Sequence, residues 1–127
     1  MDSITSLSSV EATSILEDIL YKGTLEQFRA VEDQLGYVND LFGHTDINID
    51  MALASTDRNP SIFLYLYERY GHLADLTVIL QCGGFLYKIK KILGKKRFRK
   101  FMKAQWDSLD LSGLTLDDKS VEILDTY

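Results

Sequence analysis

The chain has 127 residues, 46% of them apolar and 26% charged, which bounds it as one globular domain with enough length for a core rather than a disordered chain. A single cysteine, Cys82, excludes an intrachain disulfide framework and a multi-cysteine zinc site, and fits a reducing, cytoplasmic setting. The net charge of −5 is unevenly spread: residues 1–87 hold four basic and thirteen acidic side chains, residues 88–103 nine basic and none acidic, and residues 104–127 one basic and six acidic.

Residues 1–8 are rich in Ser and Thr, and the composition predicts a flexible N-terminus. It lacks the basic and apolar regions of a signal peptide, and no run approaches the ~18 apolar residues needed to cross a bilayer. A first helix is predicted from Ser9, with Ile15, Leu16, Ile19 and Leu20 on its apolar face and Gly23 as its stop. Thr24 followed three residues later by Gln27 is a capping-box pattern, and Leu25, Phe28, Val31 and Leu35 repeat at helical spacing up to Gly36. Glu26, Glu32 and Asp33 take the other positions of this second helix and are expected to face water.

Over residues 37–58 the pattern is weaker. Gly43 to Asp46 reads as a turn, and Ile47, Ile49, Met51, Ala52 and Leu53 predict a short helix, since a strand there would have nothing to pair with. Three helices follow. Asn59 is a candidate cap before Pro60, and Ile62, Leu66 and Tyr70, widened by Phe63 and Tyr67, form the apolar face up to Gly71, expected as a left-handed stop. Leu73, Leu76, Val78, Ile79 and Leu80 make the next block, ended by Gly83-Gly84. Phe85, Leu86, Ile89, Ile92 and Leu93 make the third. Short helices joined at glycines bury their faces only by folding back on one another, so the expected class is an all-α bundle.

After Gly94 the helical spacing resumes in a basic segment with one greasy edge, formed by Phe98, Phe101 or Met102, and Gln105 with Trp106. The tail places Leu109, Leu111, Leu114 and Leu116 among aspartates and predicts one more short helix, from Asp117 to Leu124. The domain reading is a flexible stretch at 1–8, a helical bundle at 9–93, and a basic helix plus acidic tail at 94–127.

Residues for chemistry are sparse. His44 and His72 each adjoin a glycine at a turn, and neither metal-ligand spacing nor a phosphate-cradling glycine loop is present. Cys82, on an apolar stretch without a neighbouring base, is expected as a buried structural thiol. The expectation is a protein that is not an enzyme, with no metal, no cofactor and no small-molecule substrate.

Residues 24–93 resemble the death-domain superfamily, specifically true death domains. Phe28-Arg29-Ala30-Val31-Glu32-Asp33-Gln34-Leu35-Gly36 is similar to that family's Trp-x-x-Leu-Ala-x-x-Leu-Gly signature, with Phe28 where tryptophan is usual. Asn59-Pro60-Ser61 leading through Leu64 and Leu66 to Gly71 looks like the family's fourth helix, and Ala74-Asp75-Leu76 with Leu80 like its fifth. The nearest flavour is that of Pelle-type immune kinases, the MALT-type paracaspase and the NF-κB precursors. The resemblance implies a six-helix antiparallel Greek-key bundle, here with a C-terminal basic helical extension past the family's usual end. It implies homotypic binding, to itself or to other death-domain proteins, in innate immune or apoptotic signalling.

Partner recognition in such bundles rests on complementary charged patches. The candidates are Glu26, Glu32, Asp33, Asp46 and Asp50 on the acidic side, and Arg58, Arg69, Lys95, Lys96 and Arg97 on the basic side. Tyr65, Tyr67 and Tyr70 share one short helix and cannot all point inward, so Tyr65 or Tyr67 is expected at a protein contact. An alternative is that the amphipathic stretch 88–103 binds an acidic membrane surface or RNA, although a sequence pI of about 4.9 argues against nucleic acid. A third possibility is intramolecular: the basic helix neutralises the acidic tail.

Overall fold

The computed structural model describes residues 9–35 and 47–126. Among the described residues the chain forms seven α-helices and no strand: α1 (Ser9–Lys22), α2 (Leu25–Leu35), α3 (Ile49–Ser55), α4 (Pro60–Tyr70), α5 (Leu76–Gln81), α6 (Leu86–Gln105) and α7 (Asp118–Leu124). Two 3₁₀ turns, Gly71–Leu73 and Trp106–Ser108, follow α4 and α6. The expectations for residues 1–8, for the Gly36 stop and for the turn at 43–46, His44 included, lie outside the described residues.

The helix ends are set by local chemistry. Thr24 Oγ1 accepts the Gln27 N–H at 3.1 Å while Gln27 Oε1 accepts the Thr24 N–H at 2.9 Å, the reciprocal capping box predicted for α2. Asn48, Asp75 and Asp117 cap α3, α5 and α7 through their side-chain oxygens. Asn59 does not cap α4. Its Nδ2 instead donates to the Leu20 and Gly23 carbonyls at 3.2 and 3.0 Å, holding the start of α4 against the end of α1. Gly71 is right-handed rather than left-handed (φ −58°, ψ −25°), because the chain tightens there into a 3₁₀ turn instead of reversing.

Helix α3 packs on α1, α4 and α5, α4 also contacts α2 and α6, and α7 lies on α6. Leu16, Leu20, Phe28, Leu53, Ile62, Phe63, Leu66, Leu76, Ile79 and Leu86 are fully buried at the centre. The same core runs on past Leu93: Phe98 is fully buried, and Phe101, Met102 and Ile123 belong to the one apolar cluster. A fully buried side chain of this size contributes about 1.5–3 kcal/mol of transfer free energy, so residues beyond 94 supply a substantial part of the hydrophobic stabilisation.

Within α6, Gly94 (φ 79°, ψ 167°) breaks the helical path. That conformation is open to glycine alone, and it lets the two halves of α6 take different directions over the core. Gln105 closes the far half: its Oε1 accepts the Leu76 N–H at 2.9 Å and its Nε2 donates to the Ala74 carbonyl at 3.0 Å. Phe85, expected in the third apolar block, stands before α6 and is 38% exposed. Leu73 lies on the 3₁₀ turn and is exposed. Cys82 is also exposed, correcting the expectation of a buried thiol, because it sits past the last core-facing turn of α5. Partial desolvation and the charge of Asp50 raise its pKa, which disfavours a reactive thiolate.

Candidate functional site

Nine cations fall within sixteen consecutive residues, but helix geometry distributes them. Beyond Gly94, α6 turns Phe98, Phe101, Met102 and Gln105 inward. At 100° per residue, Lys95, Lys96, Arg99 and Lys103 then share one outward sector about 100° wide, and all four are exposed. Arg97 lies to one side and pairs with Glu68 of α4 at 3.7 Å, a contact between two exposed groups that contributes about 0–1 kcal/mol. Arg99 and Lys103 line a groove of about 500 Å³ with Met102, Trp106 and Asp107, and Trp106 is 44% exposed. Lys100 lines a cleft of about 560 Å³ that also presents Glu68, His72 and Asp75.

Before the kink, Lys88 and Lys91 instead face a cleft of about 470 Å³ together with Asp57, Arg58, Pro60, Tyr87 and Ile92. Arg58 stacks over the Tyr21 ring at 4.6 Å and donates from Nη1 to its hydroxyl at 2.7 Å. Lys119 of α7 lies over the Tyr87 ring at 4.9 Å. Among the described residues the ion pairs are Arg97–Glu68 and Arg69–Glu32. The acidic tail is held on the bundle by Leu109, Leu111, Leu114, Ile123 and Leu124, and among the described residues its carboxylates form no ion pair with the basic stretch.

The acidic candidates separate sharply. Glu26 and Asp33 are exposed on α2, as expected. Glu32 is not: it is only 6% exposed, which corrects its place on a water-facing patch. Its two oxygens accept the hydroxyls of Tyr65 and Tyr70, the latter at 2.7 Å, and Arg69 Nε lies 4.0 Å away. The reason is register. Glu32 is four residues after Phe28 and adjacent to Val31, on the face of α2 that meets α4.

Burial first, then the hydrogen bond to Glu32 and its charge, push the Tyr65 phenol up to about 12, and the same causes raise Tyr70. Arg69 covers both rings at 5.2 and 5.7 Å while its side chain stays 54% exposed, so this basic candidate braces the tyrosine pair from the surface. Tyr67 stacks on Phe63 and meets Phe101 edge-on, and burial raises its phenol too. Asp50, half-buried, accepts the Asp75 N–H at 2.7 Å. Burial, outweighing that bond, holds its carboxyl above the usual range. Asp46 lies outside the described residues.

Sequence reasoning missed Asp57, 4% exposed, whose Oδ2 accepts the Phe85 N–H at 2.9 Å and ties the α3–α4 connection to the start of α6. It also missed that Tyr87 lines one cleft with Arg58 and that Lys119 lies over the Tyr87 ring, since each of these pairs is far apart in the chain and nothing local joins it. Among the described residues no group of three or more His, Cys, Asp or Glu could hold a metal ion, and no helix is long and apolar enough to cross a membrane. Comparison with protein-family models, with curated proteins and with solved structures finds no match.

Proposed function

We propose that this chain is a protein-interaction module, a death-domain-like Greek-key bundle with a basic helical extension. It assembles with itself or with other death-domain proteins in intracellular signalling of the innate immune or apoptotic kind. The observation that carries the reading is the outward sector of α6. Lys95, Lys96, Arg99 and Lys103 stand exposed there without an ion pair among the described residues, while the same chain exposes Glu17, Asp18, Glu26 and Asp33 on α1 and α2. Unlike patches on one molecule steer head-to-tail association and set its register.

The test is size-exclusion chromatography with light scattering, on wild type and on Lys95/Lys96/Lys103→Glu, at low salt and at about 1 M, where the screening length shrinks to about 3 Å. Oligomers at low salt that dissolve with salt and with the charge reversal support the proposal. A wild type that stays monomeric at every concentration, alone and with death-domain partners, sinks it. One observation favours a second reading, an acidic membrane surface: exposed Trp106 stands beside Arg99 and Lys103, the pairing that seats a helix at a headgroup boundary. Co-sedimentation with phosphatidylserine vesicles that Trp106→Ala abolishes would favour it.

A further inference from the structure

From the cleft between the α3–α4 connection and the first half of α6, we infer a binding site for a phosphotyrosine side chain on a partner peptide. The site uses none of the α6 cations beyond Gly94 and is independent of the assembly proposed above. Arg58, Lys88 and Lys91 converge on it from two elements, and Lys119 adds a fourth cation from α7 across the Tyr87 ring. Only one carboxylate lines it, and that one, Asp57, is buried with an oxygen committed to the Phe85 N–H. Among the described residues none of the four cations has an ion-pair partner. Arg58 spends one of its five N–H donors on the Tyr21 hydroxyl, which leaves a guanidinium already held in place by stacking and free to bind an anion.

The excess of positive charge suits a dianion better than a single carboxylate. The walls add a second requirement: Pro60, Tyr87 and Ile92 form an apolar side against which an aromatic ring can lie, with the phosphate among the cations at the rim. A cleft of about 470 Å³ takes one such side chain. A nucleic acid strand fits poorly, because the molecule as a whole carries −5 and repels an extended polyanion away from this spot.

The experiment is fluorescence anisotropy on the intact chain with a labelled short peptide carrying one phosphotyrosine among glycines and alanines. Matched peptides carrying tyrosine, phosphoserine or glutamate are run beside it. Saturable binding of the phosphotyrosine peptide is expected, with the other three at least about tenfold weaker, as the loss of a charge-assisted contact or of the ring predicts. Lys88/Lys91→Glu should abolish it and Arg58→Ala should weaken it, while Lys95/Lys96→Glu leaves it unchanged. Far-UV circular dichroism checks that each variant keeps its helices, and Lys91→Glu, at an exposed position, carries the test if the double change unfolds the chain. Equal binding of the phosphorylated and unphosphorylated peptides overturns the inference. So does binding that survives the charge reversal in a folded variant. Phosphatidylserine vesicles or a single-stranded RNA competing through Lys88 and Lys91 more strongly than the phosphotyrosine peptide would reassign the cleft.

Discussion

Replacing Glu32 by alanine should destabilise the bundle far more than a surface carboxylate could. Its carboxylate accepts two tyrosine hydroxyls and sits beside Arg69 while almost wholly buried. Each hydrogen bond to a charged group contributes about 1.5–3 kcal/mol, and stranding the Tyr70 hydroxyl costs about 1–3 kcal/mol more. The hydration that the carboxylate forgoes in the folded state offsets part of this, so the expected net loss is about 2–4 kcal/mol. For a domain of this size that lowers the unfolding midpoint by on the order of 10 °C. Urea and thermal unfolding by circular dichroism measure it. A double-mutant cycle with Tyr70→Phe should return a coupling of at least about 1 kcal/mol, since the two groups touch.

A pH signature accompanies it. The Tyr65 phenol is raised from its ordinary 10.0 to about 12, so the folded state holds a proton that the unfolded chain releases. Stability from this source is complete below pH 10 and is lost as the pH climbs toward about 12, and Tyr65→Phe should flatten that decline. A Glu32→Ala variant within about 0.5 kcal/mol of wild type, the range of ordinary surface changes, would refute the reasoning.

Phe98→Ala should cost about 3–5 kcal/mol, because a fully buried ring leaves a cavity; a chain ended after Leu93 should then lack cooperative unfolding, which calorimetry on both would show. Gly94→Ala forces a side chain into φ 79°, ψ 167° and should lose about 1–3 kcal/mol in urea titration, although the space around it is open. Asp117→Ala removes the cap of α7 and should cost about 1 kcal/mol. Bonds from Ser120 hold the Asp117 pKa below its ordinary 3.8, so its contribution is present above that pH and fades as the pH falls further, which acid unfolding of the pair of proteins would resolve.

Features written in neighbouring residues were legible in the sequence. The capping box at Thr24 and Gln27, the proline start of α4, the break at Gly94 and the final helix after Asp117 depend on contacts within one turn, so spacing alone locates them. What escaped reading depends on partners from distant elements. Glu32 is buried because α4 brings Tyr65 and Tyr70 to it, Gln105 because the chain entering α5 offers the Ala74 carbonyl and the Leu76 N–H, and Asn59 does not cap because its amide donates to the Leu20 and Gly23 carbonyls. One clue to Glu32 was present: it lies in register with Phe28 and Val31, and three tyrosines follow in α4. The dense cation run was visible too. Its division between the Arg58 cleft, the Glu68 pair and an open face required the direction of each half of α6.

That open face is costly, which is the reason to assign it a role. Lys95 and Arg99, Lys96 and Lys100, and Arg99 and Lys103 are like charges one turn apart, and each such pair destabilises a helix by about 0.2–0.5 kcal/mol. No acidic neighbour among the described residues pairs with any of them. The segment is helical because Phe98, Phe101, Met102 and Gln105 hold it from below, and the fold gains nothing from its charges. Lys96→Gln/Arg99→Gln interrupts all three repulsive pairs, so it should stabilise the chain by up to about 1 kcal/mol in urea unfolding at low salt, and by less at high salt. The same variant should weaken any association carried by this face. If it instead destabilises the chain, the cations serve the fold, and a partner for them must be sought within the molecule.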